Sequence, residues 1–322
     1  MNNGLFERVR QACKTVAETA AQVRINHSRI ASYAGSLPLE QVASAELDAA
    51  THYLGHGDDT LAFLITLDAI NFGSGYFPHL RKRPGKSGYF TVAWSLTDYY
   101  RENGPLSAQQ LTHLTPEDCT RIFQQNRASQ PAFELMQLFA TALNDLGKFL
   151  LEQFDGSFIG LVESAAGSAE RLVRRLSEMP FFNDVLPYKG LSVPFYKRAQ
   201  ITAADLAVAF AGEGPGRFTD LDRLTIFADN LVPHVLRVDG ILQYDEALAS
   251  RIDAGELIPA RSPEEVELRA CALHAVELMA EALRQEGRDV PPMKLDCLLW
   301  NRGQQRYYKQ IHPRHRTRTV FY

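Results

Sequence analysis

An all-α fold is predicted for this chain by three observations. Apolar residues return at three- and four-residue steps in nearly every segment, two-residue alternation is rare and short, and helix-start punctuation precedes several of the apolar runs. Taken in order, the periodicity predicts a first helix over about residues 6 to 22. The pair Asp58-Asp59 then opens a helix ahead of LAFLITLDAINF, since acidic residues suit the positive end of the helix dipole. A further helix covers about 88 to 102, and Thr115-Pro116-Glu117-Asp118 starts the next with a capping threonine and a proline at the first helical position. Periodic runs follow at about 131 to 153, 157 to 178 and 195 to 210. Ser262-Pro263-Glu264-Glu265 has the serine, proline and glutamate of a capped start, and its helix runs through Val266, Ala270, Leu273, Val276, Met279 and Leu283 to about Gly287. The irregular stretches are 73 to 88, 179 to 194 and 211 to 218.

The chain has 322 residues, 45% hydrophobic and 22% charged, enough for one large domain or two intimate helical lobes. Prolines at both ends stop helices at 179 to 194, which makes that loop the soft boundary within a single domain over 1–322. Net charge is −4 and the sequence pI about 6.2, which argues against a broad surface for long nucleic acids and leaves room for a small anion. Cys13, Cys119, Cys271 and Cys297 show no C-x-x-C pair and no regular spacing, so neither a disulfide framework nor a zinc site is expected and a reducing cytoplasm fits. The N-terminal residues have no apolar h-region and no later run reaches about 18 apolar residues, so no targeting or membrane segment is expected. There is no internal repeat or low-complexity tract.

Three constellations can carry chemistry. In Thr225-Ile226-Phe227-Ala228-Asp229-Asn230-Leu231-Val232-Pro233, proline is tolerated only in a first helical turn, so a helix begins at Asp229 or Asn230. Asp229 serves there either as an N-cap or as a carboxylate presented at a cleft, with Phe227 stacking on a base and the carboxylate facing a cationic sugar. In Leu295-Asp296-Cys297-Leu298-Leu299-Trp300-Asn301, an acidic residue opens an apolar helix. Asp296 is either its cap or, with Asn301, a hydrogen-bonding partner for the edge of a guanine-like base. In Val193-Pro194-Phe195-Tyr196-Lys197-Arg198, two cations stand at a helix start, where the dipole favours anions, so either a phosphate binds there or the charges are solvated. The run Arg314, Arg316, Arg318 alternates onto one face and presents the same choice.

Other patterns carry less. Gly212-Glu213-Gly214-Pro215-Gly216 lacks a preceding strand and reads as a turn between helices. His52 and His56, a helical pair four apart, have no third ligand near them in sequence, so no metal is expected. No G-x-S-x-G, P-loop or H-E-x-x-H motif occurs.

On these residues the chain resembles the queuosine salvage family of queuosine 5′-phosphate N-glycosylases. The likeness is carried by FDGSF (Phe154 to Phe158), VPFYKRAQI (Val193 to Ile201), the G-x-G-x-G turn, FADNLVPHVL (Phe227 to Leu236), EVELRAC (Glu265 to Cys271), LDCLLWN (Leu295 to Asn301) and the closing HRTRTVFY. The resemblance implies a fold like that of the helix-hairpin-helix DNA glycosylases, Asp229 as the catalytic carboxylate, Phe227 in the base pocket and Asp296 against the queuine base. It further implies Cys297 and Asn301 in that pocket, where family members more often have Tyr and Asp, and His52, in HYLG, as a ligand contact. Asn71-Phe72-Gly73-Ser74-Gly75-Tyr76-Phe77 stands where eukaryotic members read NFCFW, so the pocket near the cyclopentenediol is expected to differ.

The implied reaction is dissociative hydrolysis of queuosine 5′-monophosphate. The C1′–N9 bond breaks, Asp229 stabilises the ribosyl cation and holds the attacking water, and Phe227 and Asp296 grip the queuine base. Lys197 and Arg198, or the Arg316 to Arg318 tail, would hold the 5′-phosphate, and water is the only co-substrate, so no cofactor is expected. The competing readings are a glycosylase acting on DNA or intact tRNA, against which the acidic net charge speaks, and a non-catalytic protein that captures queuine or its nucleotide.

Overall fold

In a computed structural model the described residues are 4–44 and 47–322, and they are mostly helical. They cluster into two compact units, each assembled from separated stretches of chain. The first takes those of Met1–Ala45 with Asp184–Lys197 and Asp222–Arg318; the second takes those of Glu46–Asn183 with Arg198–Leu221 and Thr319–Tyr322.

The first unit is built on the helix Pro263–Gln285. Ser262 Oγ accepts from Glu265 N, with Pro263 in the first turn. The Glu265 carboxylate accepts the amide of Arg261. Every residue from Glu265 to Leu273 is buried, so this helix is enclosed rather than striped. Leu5–Thr19 packs on it through Leu5, Phe6, Val9, Cys13 and Val16, the spacing of one helical face. This helix is shorter than expected because the chain turns after it into a strand, Val23–Ile25, paired antiparallel with Leu242–Tyr244. The buried Glu267 secures that turn: its carboxylate accepts the amides of Ala21, Gln22 and Val23 and the hydroxyl of Tyr188. The 179 to 194 stretch, expected to be irregular, contains a hairpin of Val185–Tyr188 and Leu191–Pro194. Its two-residue turn is Lys189-Gly190, both at positive φ, the backbone that matches the twist of a tight hairpin.

The second unit centres on Asp58–Ala69, buried from Thr60 to Ala69, and on Gln130–Phe154, which buries a stripe from Ala132 to Leu150. The latter ends at Asp155 in left-handed geometry followed by Gly156, and Ser157 Oγ restarts a helix, Phe158–Ser164, by accepting Gly160 N. The single helix expected at 157 to 178 is therefore two. Ala166 and Gly167 turn at positive φ, and Ala169–Leu176 begins under the Asp220 carboxylate, which accepts the Ala169 and Glu170 amides and the Ser168 hydroxyl. The glycine-rich turn stays close to its neighbour because Gly216 has no side chain: a Cβ there would lie 2.5 Å from the Leu206 carbonyl oxygen. Within residues 71 to 77, the Gly73 and Ser74 amides donate to the Tyr322 carbonyl. Among the described residues, no helix is long and apolar enough to cross a membrane.

Candidate active site

The short helix Leu231–Val238 positions Asp229. Its Oδ1 accepts the amides of Leu231 at 2.6 Å and Val232 at 3.3 Å, two of the donors that a helix start leaves without intrahelical partners. The helix thus begins one or two residues later than expected, with Asn230 at its boundary and Pro233 in its first turn. Capping and presentation are compatible here. One oxygen serves the helix, and among the described residues no hydrogen bond reaches Oδ2 of this half-buried side chain.

Asp296 lies in the second turn of the helix Pro292–Gln304, not at its start as expected. It is 3% exposed, and its Oδ1 accepts the Phe227 amide at 2.9 Å, joining the two sequence motifs. Burial foremost, and then the negative charge of Asp229, push its pKa up to about 8; the Phe227 amide and the Lys197 ammonium pull the other way. Two carboxyl groups, an aromatic side chain and an ammonium are thereby gathered within the first unit. Phe227 and Lys197 are themselves 8% and 5% exposed.

Two residues that the sequence reading did not assign to the site, Arg269 and Asp184, shape it. Arg269, fully buried, donates from both Nη atoms to Asp184 at 2.9 and 2.6 Å and from Nε to the Ala228 carbonyl at 2.8 Å, while its guanidinium lies over the Phe195 ring. The same Asp184 carboxylate accepts the Lys197 amide at 3.2 Å. One ion pair therefore ties the backbone beside Asp229 to the backbone of Lys197. The sequence signal for it is an arginine set between Leu268 and Ala270 within EVELRAC. Arg314, one of the alternating cations the sequence offered for an anion, is also at the site. Its guanidinium faces Asp229, whose charge opposes the loss of basicity that burial causes. The neighbouring Asn230 side-chain amide donates to the His315 carbonyl and ties down this segment.

Other expected residues fall elsewhere. Cys297 is half-buried and Asn301 exposed, one turn apart on a face of Pro292–Gln304 adjacent to that of Asp296. Arg198, in the second unit, is committed to structure. Nη1 donates to the Asp68 and Ala69 carbonyls and Nη2 to that of Phe181, with Phe72 and Phe182 against the guanidinium. It neutralises the C-terminal end of Asp58–Ala69, which is what a buried arginine at a helix end does best. Arg316 likewise donates to the Gly255 carbonyl. His52, also in the second unit, lies in a turn and not on a helix. Its Nε2 is 3.1 Å from Tyr89 Oη and its Nδ1 3.1 Å from the Asp48 carbonyl, and burial lowers its pKa. His56 stacks on Tyr53 instead. A groove of about 390 Å³ in the first unit, lined by Arg29, Tyr33, Asp239 and Arg302 among others, contains none of the expected site residues.

Comparison with known proteins supplies the remaining observation. The family model described as queuosine salvage protein matches residues 51–322. A relative from Sphaerobacter thermophilus, named queuosine 5′-phosphate N-glycosylase/hydrolase, is 38% identical over 315 residues, covering 96% of each chain. Relatives of the same name include one from Mus musculus, 30% identical with 97% of this chain and 98% of its own covered, and one from Dictyostelium discoideum, 32% identical with 82% and 78% covered.

Proposed function

Given that the chain belongs to the queuosine salvage protein family, we propose that it is an N-glycosidase that hydrolyses queuosine 5′-monophosphate to release queuine. The observation that carries this is the pairing of Asp229 with Asp296 beside Phe227. One carboxylate has an oxygen left for a sugar cation and a water, and a buried carboxyl and an aromatic ring stand next to it for a base. In this reading Asp229 stabilises the ribosyl cation as the C1′–N9 bond breaks and orients the attacking water, and Phe227 and Asp296 hold the base. Cys297 and Asn301 extend the base pocket, and His52 is kept as a ligand contact on the family pattern. Lys197 and Arg314 supply the positive charge for the 5′-phosphate, whereas Arg198 acts as a structural cap.

The frame is taken to be that of the helix-hairpin-helix DNA glycosylases, to be tested by superposing an experimental structure on one of them. A cytoplasmic setting suits the four free thiols.

The test is direct. Purified protein incubated with queuosine 5′-monophosphate should yield free base, detected by mass spectrometry. Asp229→Asn should reduce kcat by about 10³-fold, the scale of losing one main electrostatic stabiliser, with ligand binding retained. Turnover by Asp229→Asn at the wild-type rate would sink the assignment, and ligand binding without any release by the wild type would favour a capture protein. Base released from intact tRNA but not from its nuclease digest would favour a polynucleotide substrate. Lys197→Met and Arg314→Met should each narrow the preference for the monophosphate over the nucleoside.

A further inference from the structure

The carboxyl groups of Asp229 and Asp296 sit in opposite environments, and the contrast has a chemical use. Building on the N-glycosidase reading, we infer that Asp296 enters the reaction as a neutral carboxylic acid and hands its proton to the departing base, so that one proton circulates between the two aspartates.

The surroundings of each group support this division. Two backbone amides at a helix N-terminus meet Asp229 Oδ1, and the Arg314 guanidinium faces the side chain. Asp296 has the reverse arrangement. It lies in the second turn of Pro292–Gln304, buried, with a single backbone amide on Oδ1 and the negative charge of Asp229 acting on it. The charged groups that face it are Asp229 and Lys197, and they pull in opposite directions. Burial and Asp229 prevail and leave it protonated at neutral pH, with a pKa of about 8. Two carboxyl groups in unlike surroundings are how one site can supply both an acid and a base.

The proposed substrate needs such an acid. Its base is a 7-deazaguanine, with carbon in place of the N7 that ordinary purines offer for protonation, so the leaving group must be neutralised at another ring nitrogen. As the C1′–N9 electron pair moves onto the base, the Asp296 hydroxyl transfers its proton to a nitrogen of that base. Water forms the new C1′–O bond and gives a proton to Asp229, which passes it to Asp296 and resets the pair. The sum is one water divided between ribose 5-phosphate and base, with no further reactant.

The test compares two leaving groups across pH: queuosine 5′-monophosphate and p-nitrophenyl riboside 5-phosphate, whose phenolate leaves without a proton. With the nucleotide, wild-type kcat should fall above pH about 8, and with the nitrophenyl substrate that alkaline limb should be absent. Asp296→Asn should lower kcat for the nucleotide by about 10²- to 10³-fold with KM changed far less, lose the alkaline limb, and slow the nitrophenyl substrate by a much smaller factor. An Asp296 that only binds the base would show the opposite: a raised KM, an unchanged kcat and the limb intact, which overturns the inference and leaves the N-glycosidase reading standing. No release of base by the wild type would instead remove that reading. If Asp296→Asn fails to fold, the two wild-type pH profiles still decide, because an alkaline limb shared by both substrates excludes a role in leaving-group protonation.

Discussion

Asp229 and Asp296 are the same side chain given different properties by what surrounds their oxygens. The consequence for stability has a definite sign. Asp296 has a folded-state pKa raised to about 8, well above the ordinary carboxylate value, so between those two pKa values the folded protein holds a proton that the unfolded chain releases. Stability therefore falls as pH rises through that window and levels off above it. Asp296→Asn removes the effect: its Tm should exceed that of the wild type near pH 8 and converge with it near pH 4, checked by thermal melts at both. Raised stability with lost turnover would mark a site whose strain serves chemistry. Arg269 is the opposite case, a buried cation whose partner is present. Arg269→Met strands the Asp184 carboxylate and should cost about 3–5 kcal/mol in denaturant unfolding, the scale for breaking a buried pair. Because Arg269 also holds the Ala228 carbonyl, a folded fraction of this variant should show reduced kcat from a displaced Asp229.

At the level of elements, several boundaries are set by groups far away in sequence. Ala169–Leu176 is separate from Phe158–Ser164 because the Asp220 carboxylate takes the amides at its start, and Asp220→Ala should cost about 1–2 kcal/mol, the usual worth of a helix cap. A Tm unchanged by that substitution would show that the Ser168 hydroxyl suffices alone. Gly216 faces a backbone oxygen rather than a movable side chain, so Gly216→Ala should destabilise by about 1–3 kcal/mol, in the range of overpacking. Such tertiary influence explains which elements are legible in the sequence. Ser262-Pro263 and Thr115-Pro116 predict helix starts because a cap and its amides lie within a few residues of each other. The Val23–Ile25 strand is not legible, since its partner is Leu242–Tyr244 and its first amides are held by Glu267. The hairpin from Val185 to Pro194 had a local signal in Lys189-Gly190 but only a short alternation, interrupted by Pro187.

Across the whole molecule, a net charge of −4 leaves little to hold a polyanion, so turnover of the nucleotide should depend far less on ionic strength than binding to intact tRNA would; a steep salt dependence would count against a small substrate. Each unit also joins stretches remote in sequence. In the second, Phe321 and Tyr322 are buried and the Tyr322 carbonyl takes two amides from residues 73 and 74. Deleting Thr319–Tyr322 should therefore expose the Gly73 and Ser74 amides to hydrogen exchange. The sequence by itself determined the helical character, because periodicity and capping are properties of neighbouring residues, and its ordered motifs singled out Asp229, Phe227 and Asp296 as candidates. Only the tertiary structure decided their electrostatics. It buried Asp296 under the Phe227 amide, drew Arg269 onto Asp184 across 85 positions of chain, turned Arg314 toward Asp229, and committed Arg198 to helix-end carbonyls. Burial and long-range charge are set by residues far apart in the chain, so no local pattern encodes them.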